Sequence, residues 1–202
     1  MTKKNPNTLE IVKEPARTAV RSGGPAGVLR KKAAEILVRR IPTPEIQNLI
    51  SAMKETLAIT PDGVGLAAPQ VGASLRIFIV SEEAEEIDRA DAARKRDDAK
   101  PQNPDEPPYE KRPWKYYVFI NPVIKKTSRR LIEDAEGCLS VPQKYGIVPR
   151  CEKITIQAYD EQGKKITRGS SRFFARVLQH EFDHLEGILF IDKMKSEIKS
   201  RS

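Results

Sequence analysis

The sequence predicts an α+β fold in which mostly antiparallel β-sheets pack around a central C-terminal helix that carries a His-Glu-x-x-His metal motif. Three observations predict it. Short runs rich in branched and aromatic residues recur at 75–80, 116–120 and 154–158, as strands require. A late segment keeps apolar residues at helical spacing: Phe174, Val177, Leu178, Phe182 and Leu185. The chain has two histidines, and both, His180 and His184, fall within that segment.

Taken in chain order, residues 1–28 are polar, with Gly23, Gly24, Pro25 and Gly27 close together, and are expected to form a flexible leader of which little packs. A single catalytic domain is expected over 29–194. Thr43 followed by Pro44 and Glu45 marks a helix start, and Ile46, Leu49, Ile50, Met53 and Leu57 share one helical face. Thr60, Pro61, Asp62 and Gly63 end it. Leu75 to Val80 and Tyr116 to Ile120 read as strands, and Ile154, Ile156 and Ala158 alternate with polar neighbours. The stretch 81–113 has five prolines, dense charge and few large apolar side chains, so it cannot offset its ordering entropy and is expected to be a solvated insertion. Residues 84–95 have the composition of a short charged helix, but a solvated spacer is the preferred reading. Ser171 is the expected cap of the late helix and Gly187 its stop. A polar tail is expected over 195–202.

With 202 residues the chain suits one domain, and its 39% hydrophobic and 32% charged residues indicate a modest core with a solvated segment. No run approaches the roughly 18 apolar residues that span a bilayer, which excludes a membrane-spanning helix. Two cysteines cannot supply a disulfide framework, so a reducing, cytoplasmic setting is expected. The net charge of +8 (36 minus 28) suits encounter with an anionic partner such as a ribosome surface, but settles no function.

The chemistry concentrates in His180-Glu181-Phe182-Asp183-His184. Residues four apart stand one turn above each other on a helix, so both imidazoles can bind one ion while Glu181 points beside it. Two surface histidines on an ordinary helix are the plain alternative. Against that, the apolar residues cover much of this helix, and burying two imidazoles and a carboxylate without a partner costs several kcal/mol. A catalytic ion normally takes three protein ligands and keeps an open position. The metzincin continuation would need His where Phe190 stands, and the gluzincin one has only Glu197, near the chain end. The remaining soft donors are Cys138 and Cys151. A lone Cys is more often a small buried hydrophobe, but the missing third ligand favours Cys138, whose neighbour Gly137 permits an unusual backbone angle and a close approach to another element. The small, apolar run Gly63 to Gly72 lacks the Lys of a phosphate loop. It offers exposed backbone and one amide donor, Gln70.

Three segments, Gly63-Val64-Gly65-Leu66-Ala67-Ala68-Pro69-Gln70, Glu136-Gly137-Cys138-Leu139-Ser140 and His180-Glu181-Phe182-Asp183-His184, together resemble the peptide deformylases. The resemblance runs from about Leu29 to Met194, outside the insertion. It implies removal of the N-terminal formyl group from formyl-methionine of nascent polypeptides, with Cys138, His180 and His184 binding one divalent metal ion, usually Fe2+ and replaceable by Zn2+, Ni2+ or Co2+. It further implies that Glu181 moves protons, that Gln70 and the backbone N–H of Leu139 hold the formyl oxygen, and that Val64, Gly65 and Gly137 line the peptide's path. Tyr145 stands where some bacterial members carry arginine, and the tail is short where several carry a long helix linked to ribosome docking. A monomer is expected. Two other readings compete: another His-Glu-x-x-His metallopeptidase with a different third ligand, and a non-catalytic ribosome-binding protein. The second is weakened by basic stretches without interleaved aromatics.

Overall fold

The computed structural model describes residues 7–14, 25–95 and 115–198. Helix α1 spans Pro44–Ala58, α2 Glu83–Lys95 and α3 Arg172–Leu185. Strands β1 (Gly65–Ala67), β2 (Ile77–Ser81), β3 (Tyr116–Thr127), β6 (Lys153–Tyr159) and β7 (Lys165–Ser171) make one sheet in the order β1-β2-β3-β6-β7. Strands β4 (Leu131–Cys138), β5 (Val141–Cys151) and β8 (Ser196–Glu197) make a second, in the order β4-β5-β8. Every pairing between named strands is antiparallel, as expected.

The five-stranded sheet has two buried faces, and its second strand shows why. All five residues of β2 are buried: Phe78 and Val80 turn to the cluster that contains Phe174, Ala175 and Leu178 of α3, while Ile77 and Ile79 turn to the one that contains Ile46, Ile50, Met53 and Leu57 of α1. Strand side chains alternate faces, so a strand covered on both sides reads as an unbroken apolar run instead of an alternating one. Helix α3 thus has the larger sheet on one side. On the other, Arg176 of α3 donates to the Val148 and Ile132 carbonyls of the smaller sheet, at 2.8 and 2.7 Å.

Three expectations are corrected by the structure. Residues 7–14, placed in the leader, pack: Leu9 seats against the α1 cluster and its N–H donates to Thr56 Oγ1 at 2.8 Å. The start of the presumed solvated insertion is α2, which buries Ala84 completely and docks on α3. Its Asp88 accepts the N–H groups of Phe173 and Phe174, at 3.0 and 2.9 Å. These are orphan donors of the first turn of α3, so Asp88 caps that helix across space, and Ser171 gives no side-chain capping bond. A charged helix is retained there because its charges have partners: Glu85 accepts from Tyr117 Oη at 2.7 Å and pairs with Arg168. Third, the polar tail starts as a strand, since Gly146 and Ile147 of β5 pair with Glu197 and Ser196. Residues 1–6 and 15–24 of the leader, the insertion beyond residue 95 up to 113, and the tail beyond 198 lie outside the described residues.

Candidate metal centre

Ten of the 14 residues of α3 are buried, which puts the metal motif in the interior, with His180 and Glu181 lining a cleft. Cys138 reaches it from the end of β4, where the register with β5 shifts between Gly137 and Cys138 and turns the chain sharply toward Val141. The sulfur of Cys138 and one ring nitrogen each of His180 and His184 lie within 4.8 Å of one another, with Cys138 Sγ 3.3 Å from His184 Nε2. A tetrahedral ion with bonds of ~2.3 Å to sulfur and ~2.0 Å to nitrogen separates those donors by about 3.5 Å. The donor set therefore fits one divalent ion.

His180 is aimed from behind. Its Nδ1 lies 3.0 Å from Glu136 Oε2. Burial alone would raise the Glu136 carboxyl, but hydrogen bonds from Arg150 and His180 outweigh it and hold the group far below the usual carboxylate range. An ionised Glu136 requires the proton on Nδ1 and leaves the Nε2 lone pair for the ion. Arg150 Nε and Nη2 donate to Glu136 at 2.9 Å each, Arg176 Nη1 donates at 2.7 Å, and Arg150 Nη1 reaches Asp183 at 2.5 Å. The buried network thus links β4, β5 and both ends of the metal motif.

Glu181 is 4% exposed, and its Oε2 has no hydrogen-bond partner. Burial pushes its carboxyl up to about 7. Gly65 is what lets it sit there: a Cβ on Gly65 would lie 2.8 Å from Glu181 Cδ. Gln70, 2% exposed, is oriented by its own backbone neighbourhood. Its Oε1 accepts the Ala67 N–H at 2.8 Å, which turns Nε2 toward Cys138 Sγ at 3.7 Å and Ser140 Oγ at 3.4 Å. The Ser140 N–H also donates to Cys138 Sγ, at 3.4 Å.

The cleft above these groups has a volume of about 460 Å³, and Val64, Gly65, Gln70, Gly137, Leu139 and Tyr145 are among its lining residues. The structure therefore brings together every site residue anticipated from sequence. One expectation about backbone fails: Gly137 is not among the glycines with positive φ. Its missing side chain instead admits the Tyr145 ring, which would stand 2.8 Å from a Cβ there. Cys151 stays outside the centre, its backbone paired with the Gln179 side chain at 3.0 and 2.9 Å. Sequence reasoning missed Arg150, Arg176, Asp183 and the role of Glu136. The available signal was a charged residue inside an otherwise strand-like or helical apolar pattern.

The family model for polypeptide deformylase matches residues 19–200. The chain belongs to that family. It is 39% identical over 175 residues to peptide deformylase 1A, chloroplastic/mitochondrial, of Arabidopsis thaliana, covering 87% of this chain and 60% of that one. The chain thus spans less than two thirds of the length of that plant relative. Against the peptide deformylase of Pseudothermotoga lettingae it is 39% identical over 170 residues, 84% of this chain and 78% of the relative. Among solved structures, a plant peptide deformylase superposes with a TM-score of 0.69 at 33% identity, covering 97% of this chain and 84% of that one. The Met-Ala-Ser-bound class I type b enzyme of Acinetobacter baumannii gives 0.67 at 30%, covering 93% and 98%. No helix among the described residues is long and apolar enough to cross a membrane.

Proposed function

We propose that this protein hydrolyses the N-terminal formyl group of nascent polypeptides that begin with formyl-methionine, releasing formate and a free amine. The observation that carries the reading is the convergence of Cys138, His180 and His184 with Glu181 and the Gln70 amide beside them, in a chain of this family. Cys138, His180 and His184 would hold one divalent ion, Fe2+ in cells, with Zn2+, Ni2+ or Co2+ able to replace it. Such an ion supplies a positive charge that acidifies water and polarises a carbonyl.

The protein's own groups do the rest. Glu181 takes a proton from water and delivers it to the leaving nitrogen; its burial raises its proton affinity toward neutrality, as a general base requires. Gln70 Nε2, held by the Ala67 N–H, and the Leu139 N–H stabilise the charge that grows on the formyl oxygen. Strands β1 and β4 are both sheet edges. Val64 and Gly65 on one side and Gly137 on the other therefore offer backbone groups to an extended peptide lying in the cleft. The protein acts as a cytoplasmic monomer, and its net positive charge suits contact with the ribosome surface where nascent chains emerge.

The test is formate release from formyl-Met-Ala-Ser by anaerobically isolated protein. Wild type turns the peptide over, while Glu181→Ala keeps about one ion per chain and loses at least about a hundredfold in kcat. Near-normal turnover by that variant, or none by wild type, contradicts the reading.

A further inference from the structure

The segment that precedes the family-matched residues 19–200 crosses the rim of the metal centre. Three consecutive residues of it each tie down a carbonyl of a loop that serves the site. The Val12 N–H donates to the Gln70 carbonyl at 2.7 Å, Lys13 Nζ to the Leu139 carbonyl at 2.7 Å, and the Glu14 N–H to the Ser140 carbonyl at 2.7 Å. Glu14 is itself anchored by Arg30 at 2.7 Å, and Arg30 also reaches Asp192 at 2.5 Å. The segment is thus fastened to the body of the domain at the same place where it fastens the two loops.

The Lys13 contact falls on a particular peptide unit. The carbonyl of Leu139 and the N–H of Ser140 belong to one planar amide and, being trans, point in opposite directions. On one side that amide receives the Lys13 ammonium; on the other it donates to Cys138 Sγ at 3.4 Å. An ammonium on the carbonyl polarises the amide and strengthens the bond its N–H makes. It also fixes that plane relative to the sulfur and so narrows the range of the Leu139 dihedrals that join it to the neighbouring amide, whose N–H is that of Leu139.

We propose that Lys13 is a positioning residue of this centre: through the Leu139–Ser140 amide it sets the orientation of the ligand sulfur and of the donors that receive the substrate oxygen. Lys13 is exposed and contributes no part of the core, so its removal spares the fold. The kinetic half of the test rests on the deformylase reading; the exchange half does not.

Lys13→Met and Lys13→Arg are compared with wild type by amide hydrogen exchange over residues 138–141 and by steady-state kinetics on formyl-Met-Ala-Ser, all as metal-loaded full chains. In Lys13→Met, exchange over 138–141 quickens about tenfold while β2 exchanges as in wild type, and kcat falls about tenfold with KM within twofold. The arginine, which can still donate to the Leu139 carbonyl, restores both to within about threefold. The proposal is overturned if Lys13→Met leaves exchange over 138–141 unchanged, if β2 loosens equally, if the loss lies in KM alone, or if arginine fails to restore. Should wild type itself release no formate, the functional reading fails, and the exchange arm still decides the role of Lys13.

Discussion

Replacing Glu136 by glutamine probes the buried network that aims His180. The side chains of Glu136, Arg150 and Arg176 are 5%, 4% and 6% exposed, so little solvent is at hand to compensate a change. Each carboxylate oxygen accepts two donors: Oε1 from Arg150 and Arg176, Oε2 from Arg150 and His180. An amide nitrogen at either position would face two N–H groups with a third, and the negative charge that neutralises two guanidiniums is lost. Removing one partner of a buried ion pair costs about 3 to 5 kcal/mol. For a chain of this size each kcal/mol lowers Tm by about 2 to 4 °C, so Glu136→Gln should melt roughly 6 to 20 °C below wild type. The same change releases the Nδ1 anchor of His180, and losing such a support costs about 10- to 100-fold in metal affinity. Differential scanning calorimetry and competition with a chelator measure the two effects. A variant that melts within about 2 °C of wild type, a loss of no more than about 1 kcal/mol, and holds its ion equally well would refute the claim that this network supports the centre.

Gly65→Ala should fold and bind its ion but lose most turnover, since the new methyl displaces the Glu181 carboxyl; full activity with an unmoved Glu181 in a crystal structure would contradict this. Asp88→Ala removes the cap that α2 lends to α3 and should cost about 1 kcal/mol, read as a Tm drop of about 2 to 4 °C, whereas Ser171→Ala should cost less. Glu85 is held below the usual carboxylate range because hydrogen bonds from Tyr117 and Arg168 outweigh the effect of burial. Its folded value being depressed, its contribution is present above the unfolded value of about 4.5 and is lost as pH falls through the folded one. The stability gap between wild type and Glu85→Gln in urea titrations should therefore be widest near neutrality and close in acid; a gap that widens in acid would be wrong for this pairing.

How much of this was legible in the sequence differs by residue. His180, Glu181 and His184 were legible because helical spacing alone groups them, and Gln70 because it is the one amide in a run of small residues; Cys138 was favoured over Cys151 only by the want of a third donor and by the family resemblance. Helix α1 and strands β2, β3 and β6 announced themselves through apolar pattern. Strands β4 and β5 did not: most of Leu131–Cys138 is exposed or half-buried, so no alternation marks it, and its pairing with β5 is made by backbone. Arg150, Arg176 and Asp183 are spread over 34 positions and become neighbours only when α3 lies against the smaller sheet. The packing of 7–14 and the docking of α2 rest on contacts between residues far apart in sequence, among them Leu9 to Thr56, Val12 to Gln70, Glu85 to Arg168 and Asp88 to α3, which composition read locally does not reveal.

X-ray absorption at the metal edge of the iron- or zinc-loaded protein asks most directly whether these three side chains hold one ion. Shells of one sulfur at ~2.3 Å and two imidazole nitrogens at ~2.0–2.1 Å are expected, with the sulfur shell absent in Cys138→Ala. Spectra without sulfur in wild type, or with sulfur that survives that substitution, would contradict it.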